Sequence, residues 1–187
     1  MEVEPIRNEK KISEMKKYLR QKGDCYELLF VMGINTALRI GDLLSLSIGD
    51  VTDDAGNVLK VICLKERKTG KQKRLPVNES LKNALTGYLI EHPNCGRSTP
   101  LFFTQKSGSL SRSQAWRILK SAGKAVGLQN IGTHSLRKTF GYHVYRNSGG
   151  DIGLLQKLLN HSSVKNTLRY IGIDREEMDN IFLKLNL

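Results

Sequence analysis

The sequence predicts a mainly α-helical domain carrying one small antiparallel β-sheet, an α+β fold. Three observations predict it. Apolar residues recur at helical spacing through most of the 187 residues, one β-rich run is answered by a second across a Lys-Thr-Gly-Lys turn, and no repeat or low-complexity tract intervenes. With 39% hydrophobic and 26% charged residues the composition is globular, and a chain this long buries roughly two-thirds of its unfolded surface. The whole of 1–187 is read as one domain.

The first helix spans residues 9–19, and 26–35 (YELLFVMGIN), apolar nearly all round, suits a buried second helix. Thr36 and Gly41 mark a break beside Arg39, after which residues 40–46 regain helical spacing before the turn-forming run 53–57, DDAGN. Residues 58–65 (VLKVICLK) and 72–77 pair as strands across the turn 68–71. Helical spacing returns at Leu81, Leu85, Tyr88 and Leu89, and again at Ala115, Ile118, Leu119 and Ala122, with Ser111 as N-cap and the segments around Pro100 and Gly108 as loops. Short helices follow at 134–146, 151–159 and 164–170. A last one at 175–185, capped by Asp174, has an apolar stripe of Met178, Ile181, Phe182 and Leu185.

Thirty Lys and Arg against 18 Asp and Glu leave a net charge of +12, which predicts an acidic, extended partner, nucleic acid ahead of anionic membrane. No apolar run reaches the roughly 18 residues of a membrane span, and the charged N-terminus is unlike a signal peptide, so a cytoplasmic protein without a membrane partner is expected. Cys25, Cys63 and Cys95 are odd in number and lack a CxxC, so they read as reduced packing residues. His92 and Cys95 have a ligand-like gap but no second pair, so no metal site is indicated.

Seven of the fifteen residues from 60 to 74 are basic, opposed only by Glu66. On a hairpin they are either lysines that discourage edge pairing or a ribbon set against a phosphate backbone, and composition does not choose. His134 and Arg137 stand one helical turn apart and can grip a single anion, the guanidinium as a two-pronged donor and the imidazole as donor or proton acceptor. Alone, that spacing is a weak pattern.

Its weight comes from company: ALRIGDLLSL around Arg39 and Asp42, the KTGKQKRLPV hairpin with Lys68, HSLRKTF, LLNHSS with His161, and TLRY ending at Tyr170, in that order. In this ordered set the sequence resembles the catalytic domain of tyrosine recombinases, the phage integrase family, over roughly residues 5–185. The resemblance implies that Arg39, Lys68, His134, Arg137 and His161 are catalytic with Tyr170 as nucleophile, and that Asp42 supports the first arginine. Lys71, Lys73 and Arg74 are expected on flanking double-stranded DNA, and Tyr142 and Tyr145 are the nearest decoys for the nucleophile. Asn160 stands where the family usually has glycine, and asparagine tolerates a left-handed backbone.

The implied reaction is site-specific cleavage and rejoining of DNA through a 3′-phosphotyrosine, with no metal or other cofactor. A non-catalytic DNA-binding regulator of the same fold and a type IB topoisomerase remain alternatives. The family's N-terminal core-binding domain has no counterpart in these residues, and the 174–187 helix is expected to help assemble a tetramer on DNA.

Overall fold

Asn8 starts the first helix: its Oδ1 accepts from the backbone N–H of Lys10 at 2.8 Å and Lys11 at 3.4 Å, satisfying donors that have no partner inside a helix. The structure, a computed structural model, describes residues 3–104, 108–161, 163–172 and 182–183. Helix α1 (Glu9–Lys22) buries Met15 and Leu19 and ends at Gly23, whose φ of +147° only glycine adopts readily. The chain passes at once into α2 (Asp24–Thr36), which buries eight of its thirteen residues and packs against helices on several sides, as its apolar circumference predicts. It closes at Ala37 in a left-handed conformation, and the single helical turn α3 (Ile40–Leu43) follows Arg39.

The DDAGN run is a turn in which Asp53 Oδ1 accepts from the N–H of Ala55 and Asn57, the short-range bond that favours aspartate there. Strands β1 (Val61–Lys65) and β2 (Gln72–Pro76) pair antiparallel with Ile62 opposite Leu75, both buried. The same register places Cys63 opposite Arg74 on the exposed face, so Cys63 is not the packing residue expected of it; the strand's two-residue period points it outward. Helix α4 (Glu79–Glu91) is capped by Asn78. A second two-stranded ladder, β3 (Phe103–Thr104) with β4 (Gly108–Ser109), lies where loops were expected; two residues per strand are too few for alternation to show in a sequence.

Helix α5 (Arg112–Ala125) begins as predicted at Ser111, whose hydroxyl and the Gln114 side chain cap each other's backbone N–H. Helices α6 (Thr133–Asn147), α7 (Ile152–Leu159) and α8 (Val164–Ile171) complete the described chain. The expected 175–185 helix falls outside the described residues except for Phe182 and Leu183. No described helix is long and apolar enough to cross a membrane.

Two large apolar clusters hold the body together. One joins α2, α4 and the hairpin through Leu29, Met32, Ile62, Leu75 and Tyr88, and the other joins α1, α2, α5 and α6 through Leu19, Phe30, Leu119 and Leu136. A third, small one, with Leu155, Leu159 and Ile171 fully buried, seats α7 and α8, each such side chain contributing about 1.5–3 kcal/mol.

Helices α2 and α6 meet at Gly33, where an added Cβ would lie 2.5 Å from Leu136 Cδ1 and 2.9 Å from its Cβ. Gly33→Ala is therefore expected to force α6 outward and to destabilise the fold by about 1–3 kcal/mol, read as a lower urea midpoint at unchanged slope. An unaltered midpoint would show that α6 is not held this closely.

Candidate active site

Arg137 is the most enclosed cation of the site, only 3% exposed on the buried face of α6. Its Nη1 donates to the Ala37 carbonyl at 2.6 Å and its Nη2 to the Leu159 carbonyl. The left-handed end of α2 thus supplies one acceptor and the end of α7 the other. Two carbonyls fix the plane of the fork, and the remaining N–H groups are left for a ligand.

Arg39 follows that same left-handed turn, and its Nη1 lies 3.1 Å from Glu66 Oε1, a charge contact rather than an aligned hydrogen bond. Glu66 is 1% exposed; its other oxygen accepts from Thr69 Oγ1 at 2.7 Å and Asn160 Nδ2 at 3.3 Å. Burial pushes the Glu66 carboxyl up, but the Thr69 bond, the Arg39 charge and the Asn160 bond outweigh it and hold it below the usual value. Asp42 was expected to support Arg39. It is 2% exposed, and its Oδ1 accepts the backbone N–H of Arg67 at 3.0 Å, so it steadies the hairpin, while the carboxylate against Arg39 is Glu66. The lone acid in a basic run was the available signal for Glu66.

His134 sits one turn before Arg137 on α6. Its imidazole pKa is lowered, first by burial and then by the charges of Arg137, Lys138, Arg39 and Lys68, so the ring is neutral near pH 7. His161 is lowered in the same way, by burial and then by Arg137 and Arg39. It follows Asn160, whose φ of +53° and ψ of +44° are the left-handed turn anticipated for an asparagine in a glycine position. Nδ1 of His161 lies 3.2 Å from Thr167 Oγ1, which donates to the Ser163 carbonyl. The Thr167 oxygen is therefore the acceptor, and Nδ1 carries the proton of the neutral ring.

Tyr170 on α8 packs its ring edge-on against His161, centroids 5.1 Å apart, with Lys138 Nζ 5.4 Å from the ring centre. Its hydroxyl is sealed from solvent with no well-formed hydrogen bond. Burial pushes the phenol up against the pull of Arg137 and Arg39, so it is protonated at neutral pH. A cleft of about 430 Å³ is lined by Arg39, Lys68, His134, Arg137, His161 and Tyr170 together, completed by Thr69, Asn160 and Asn166.

The three hairpin cations placed on flanking DNA have different surroundings. Arg74 is exposed, and Lys71 is exposed with its Nζ 3.1 Å from Asn160 Oδ1. Lys73 turns inward, its side chain 17% exposed and its Nζ 3.4 Å from the Leu158 carbonyl and 3.9 Å from Glu66. Burial, followed by repulsion from Arg137, brings its ammonium down to about 8. Beyond His134 the surface continues into a groove along α5 lined by Ile40, Arg112, Trp116 and Arg117, with Lys120 stacked 4.7 Å over the Trp116 ring. Arg112, Trp116 and Lys120 follow one another at i, i+4 spacing on this helix.

A helical domain that gathers two guanidiniums, a lysine and two imidazoles around a buried tyrosine hydroxyl belongs to the class of enzymes that cut and rejoin DNA. Within that class the chain belongs to the phage integrase family, whose model matches residues 8–177. It is 44% identical over 174 residues to the probable integrase/recombinase YoeC of Bacillus subtilis (strain 168), covering 93% of this chain and 92% of that protein. It is 32% identical over 160 residues to the tyrosine recombinase XerD of Corynebacterium glutamicum, covering 83% of this chain but 49% of that one, so it spans about half the length of such relatives. Among solved structures, that of XerA recombinase superposes with a TM-score of 0.75 at 24% identity, over 99% of this chain and 65% of that one. A lambda integrase tetramer bound to a Holliday junction superposes with a TM-score of 0.69 at 18% identity, over 91% and 48%. These likenesses establish the fold.

Proposed function

We propose that the chain is the catalytic domain of a site-specific DNA recombinase that cleaves and rejoins double-stranded DNA through Tyr170. The observation that carries this reading is the cleft itself: Tyr170, whose hydroxyl makes no well-formed hydrogen bond, shares one space of about 430 Å³ with Arg39 and Arg137. The Tyr170 oxygen attacks phosphorus, the new O–P bond forms as the bond to the 5′-oxygen breaks, and a 3′-phosphotyrosine and a 5′-hydroxyl result. The linkage conserves the phosphodiester's bond energy, so the reverse attack reseals the strand without ATP.

Arg39 and the unused donors of Arg137 hold the non-bridging oxygens, where a preorganised donor is worth about 3–4 kcal/mol. Neutral His134 accepts the phenolic proton. Lys68 protonates the leaving 5′-oxygen, a transfer an ammonium makes readily and a guanidinium does not. His161, with Nδ1 turned to Thr167, gives the phosphate a hydrogen bond from Nε2 once the incoming negative charge has raised its pKa and the ring has taken a proton from solvent. Lambda integrase is described as a dimer on a COC′ core site and as a tetramer on a Holliday junction; this chain is read as assembling on DNA likewise, with residues 174–187 docking on a neighbouring protomer. With this reading goes a cytoplasmic place, that of a bacterial or phage-encoded protein.

The test is covalent capture. A pool of duplexes nicked near the centre, with randomised flanks, is incubated with the protein, and adducts that survive SDS are recovered and sequenced to define a working substrate. Adducts are expected; free ends without adducts would point to a nuclease, and binding without cleavage to a regulator.

On that substrate, which holds the enzyme after one cleavage, the pH dependence of the second-order rate constant of adduct formation reports the free enzyme. Because the His134 pKa is lowered from 6.5, the neutral base persists as pH falls through that value, and the rate declines only below it. His134→Gln is expected to lose about 10²–10⁴-fold and to abolish this acidic limb. A decline beginning above 6.5 would remove His134 as the base.

A further inference from the structure

From Lys65 to Gln72 only Glu66 is buried, so the turn that carries Lys68 has no apolar anchor, and polar ties set its place against the cleft. Some of these ties shape the turn itself: Gly70 N–H to the Glu66 carbonyl, Glu66 N–H to the Lys71 carbonyl, and Thr69 to the Glu66 carboxylate. Asp42 and Arg39 fix its base from one side. From the other side, where His161 and Tyr170 lie, one side chain reaches both ends of the turn. Asn160 donates through Nδ2 to Glu66 Oε2 at 3.3 Å and accepts through Oδ1 from Lys71 Nζ at 3.1 Å.

A carboxamide suits this pair, because it offers a donor to the carboxylate and an acceptor to the ammonium from one short planar group. Glycine would fit the backbone at φ +53° as well or better and would make neither bond.

Resting on the strand-transfer reading above, we infer that Asn160 is a positioning residue for cleavage. Its amide fastens the hairpin turn bearing Lys68 to the turn bearing His161, so that the proton donor and the phosphate ligands are set as one unit. The Glu66 carboxylate, held from Asn160, Thr69 and Arg39 at once, is the common point through which the two halves of the cleft are aligned.

The experiment compares two captured duplexes identical except for the bridging atom of the leaving group, 5′-oxygen or 5′-sulfur. A thiol with a pKa near 8.5 leaves as the thiolate and needs no proton, so a defect in proton delivery disappears on sulfur. Lys68→Ala is expected to be slow on oxygen and close to wild type on sulfur. Asn160→Gly is expected to keep the wild-type urea midpoint closely, to cleave the oxygen substrate about tenfold more slowly, and to recover within about twofold on sulfur. Asn160→Asp, which keeps the left-handed preference but turns an acceptor toward Glu66, is expected to show the same selective loss and serves if the glycine variant is unstable.

If Lys68→Ala is equally slow on both duplexes, the reading of Lys68 as proton donor falls and this inference falls with it. If Lys68→Ala recovers on sulfur but the Asn160 variants are slow on both, or are as fast as wild type on oxygen, the role of Asn160 alone is overturned.

Discussion

Tyr170→Phe is expected to abolish the SDS-resistant adduct while leaving the fold and the DNA affinity unchanged. The substitution removes one oxygen that makes no well-formed hydrogen bond; its polar neighbour Arg137 keeps both carbonyl partners, and the ring keeps its edge contact with His161. No other phenol can take over. Tyr142 and Tyr145 lie on α6 outside the cleft, Tyr142 beneath the Arg7 guanidinium at 5.7 Å and Tyr145 against the Gly149-Gly150 bend. Denaturing gels read the adduct and native gels the complex. An adduct of undiminished yield in the variant would remove Tyr170 as nucleophile.

Arg137→Lys is expected to cost about 10²–10³-fold in single-turnover cleavage and also to destabilise the free protein by about 1–3 kcal/mol. A guanidinium bonds the Ala37 and Leu159 carbonyls and still presents N–H groups to a phosphate in a fixed plane. A single ammonium on a longer tether cannot do all three, and at 3% exposure no water readily replaces the lost bonds. Arg39→Lys makes the useful contrast. Arg39 is partly exposed and tied to one carboxylate, so it is expected to lose comparable rate with little loss of stability. Urea unfolding and capture kinetics on the two variants separate these effects; an Arg137→Lys variant as stable as the wild type would mean that the carbonyl clamp contributes nothing.

What is legible in the sequence follows from how local each signal is. The caps at Asn8, Ser111 and Asp151 and the Asp53 turn depend on residues within four positions of one another, and of these Ser111 and the turn are the ones the sequence marks. The hairpin announced itself through the β-rich run ending at Lys65, and the six residues of the cleft through an order of motifs rather than any one of them.

The parts that were not legible depend on contacts between distant segments. Asp42 is three residues from Arg39, which invited pairing, yet packing turns it to the backbone of Arg67 and leaves Glu66, 27 positions away from Arg39, to face the guanidinium. Lys73 looked like its neighbours Lys71 and Arg74. Only the meeting of β2 with the end of α7 shows that it points at the Leu158 carbonyl. The left-handed turn at Asn160 was anticipated from residue type, but its two side-chain bonds required both partners in space.

In this cleft a phosphodiester is to be exchanged onto Tyr170. The most direct test is to digest the captured adduct with protease and nuclease and locate the nucleotide-bearing residue by mass spectrometry. A single modified residue is expected, Tyr170, joined through a phosphate to the 3′ end of the cleaved strand. Attachment at Tyr142, Tyr145 or any other residue, or a phosphate linked to a 5′ end, would contradict it.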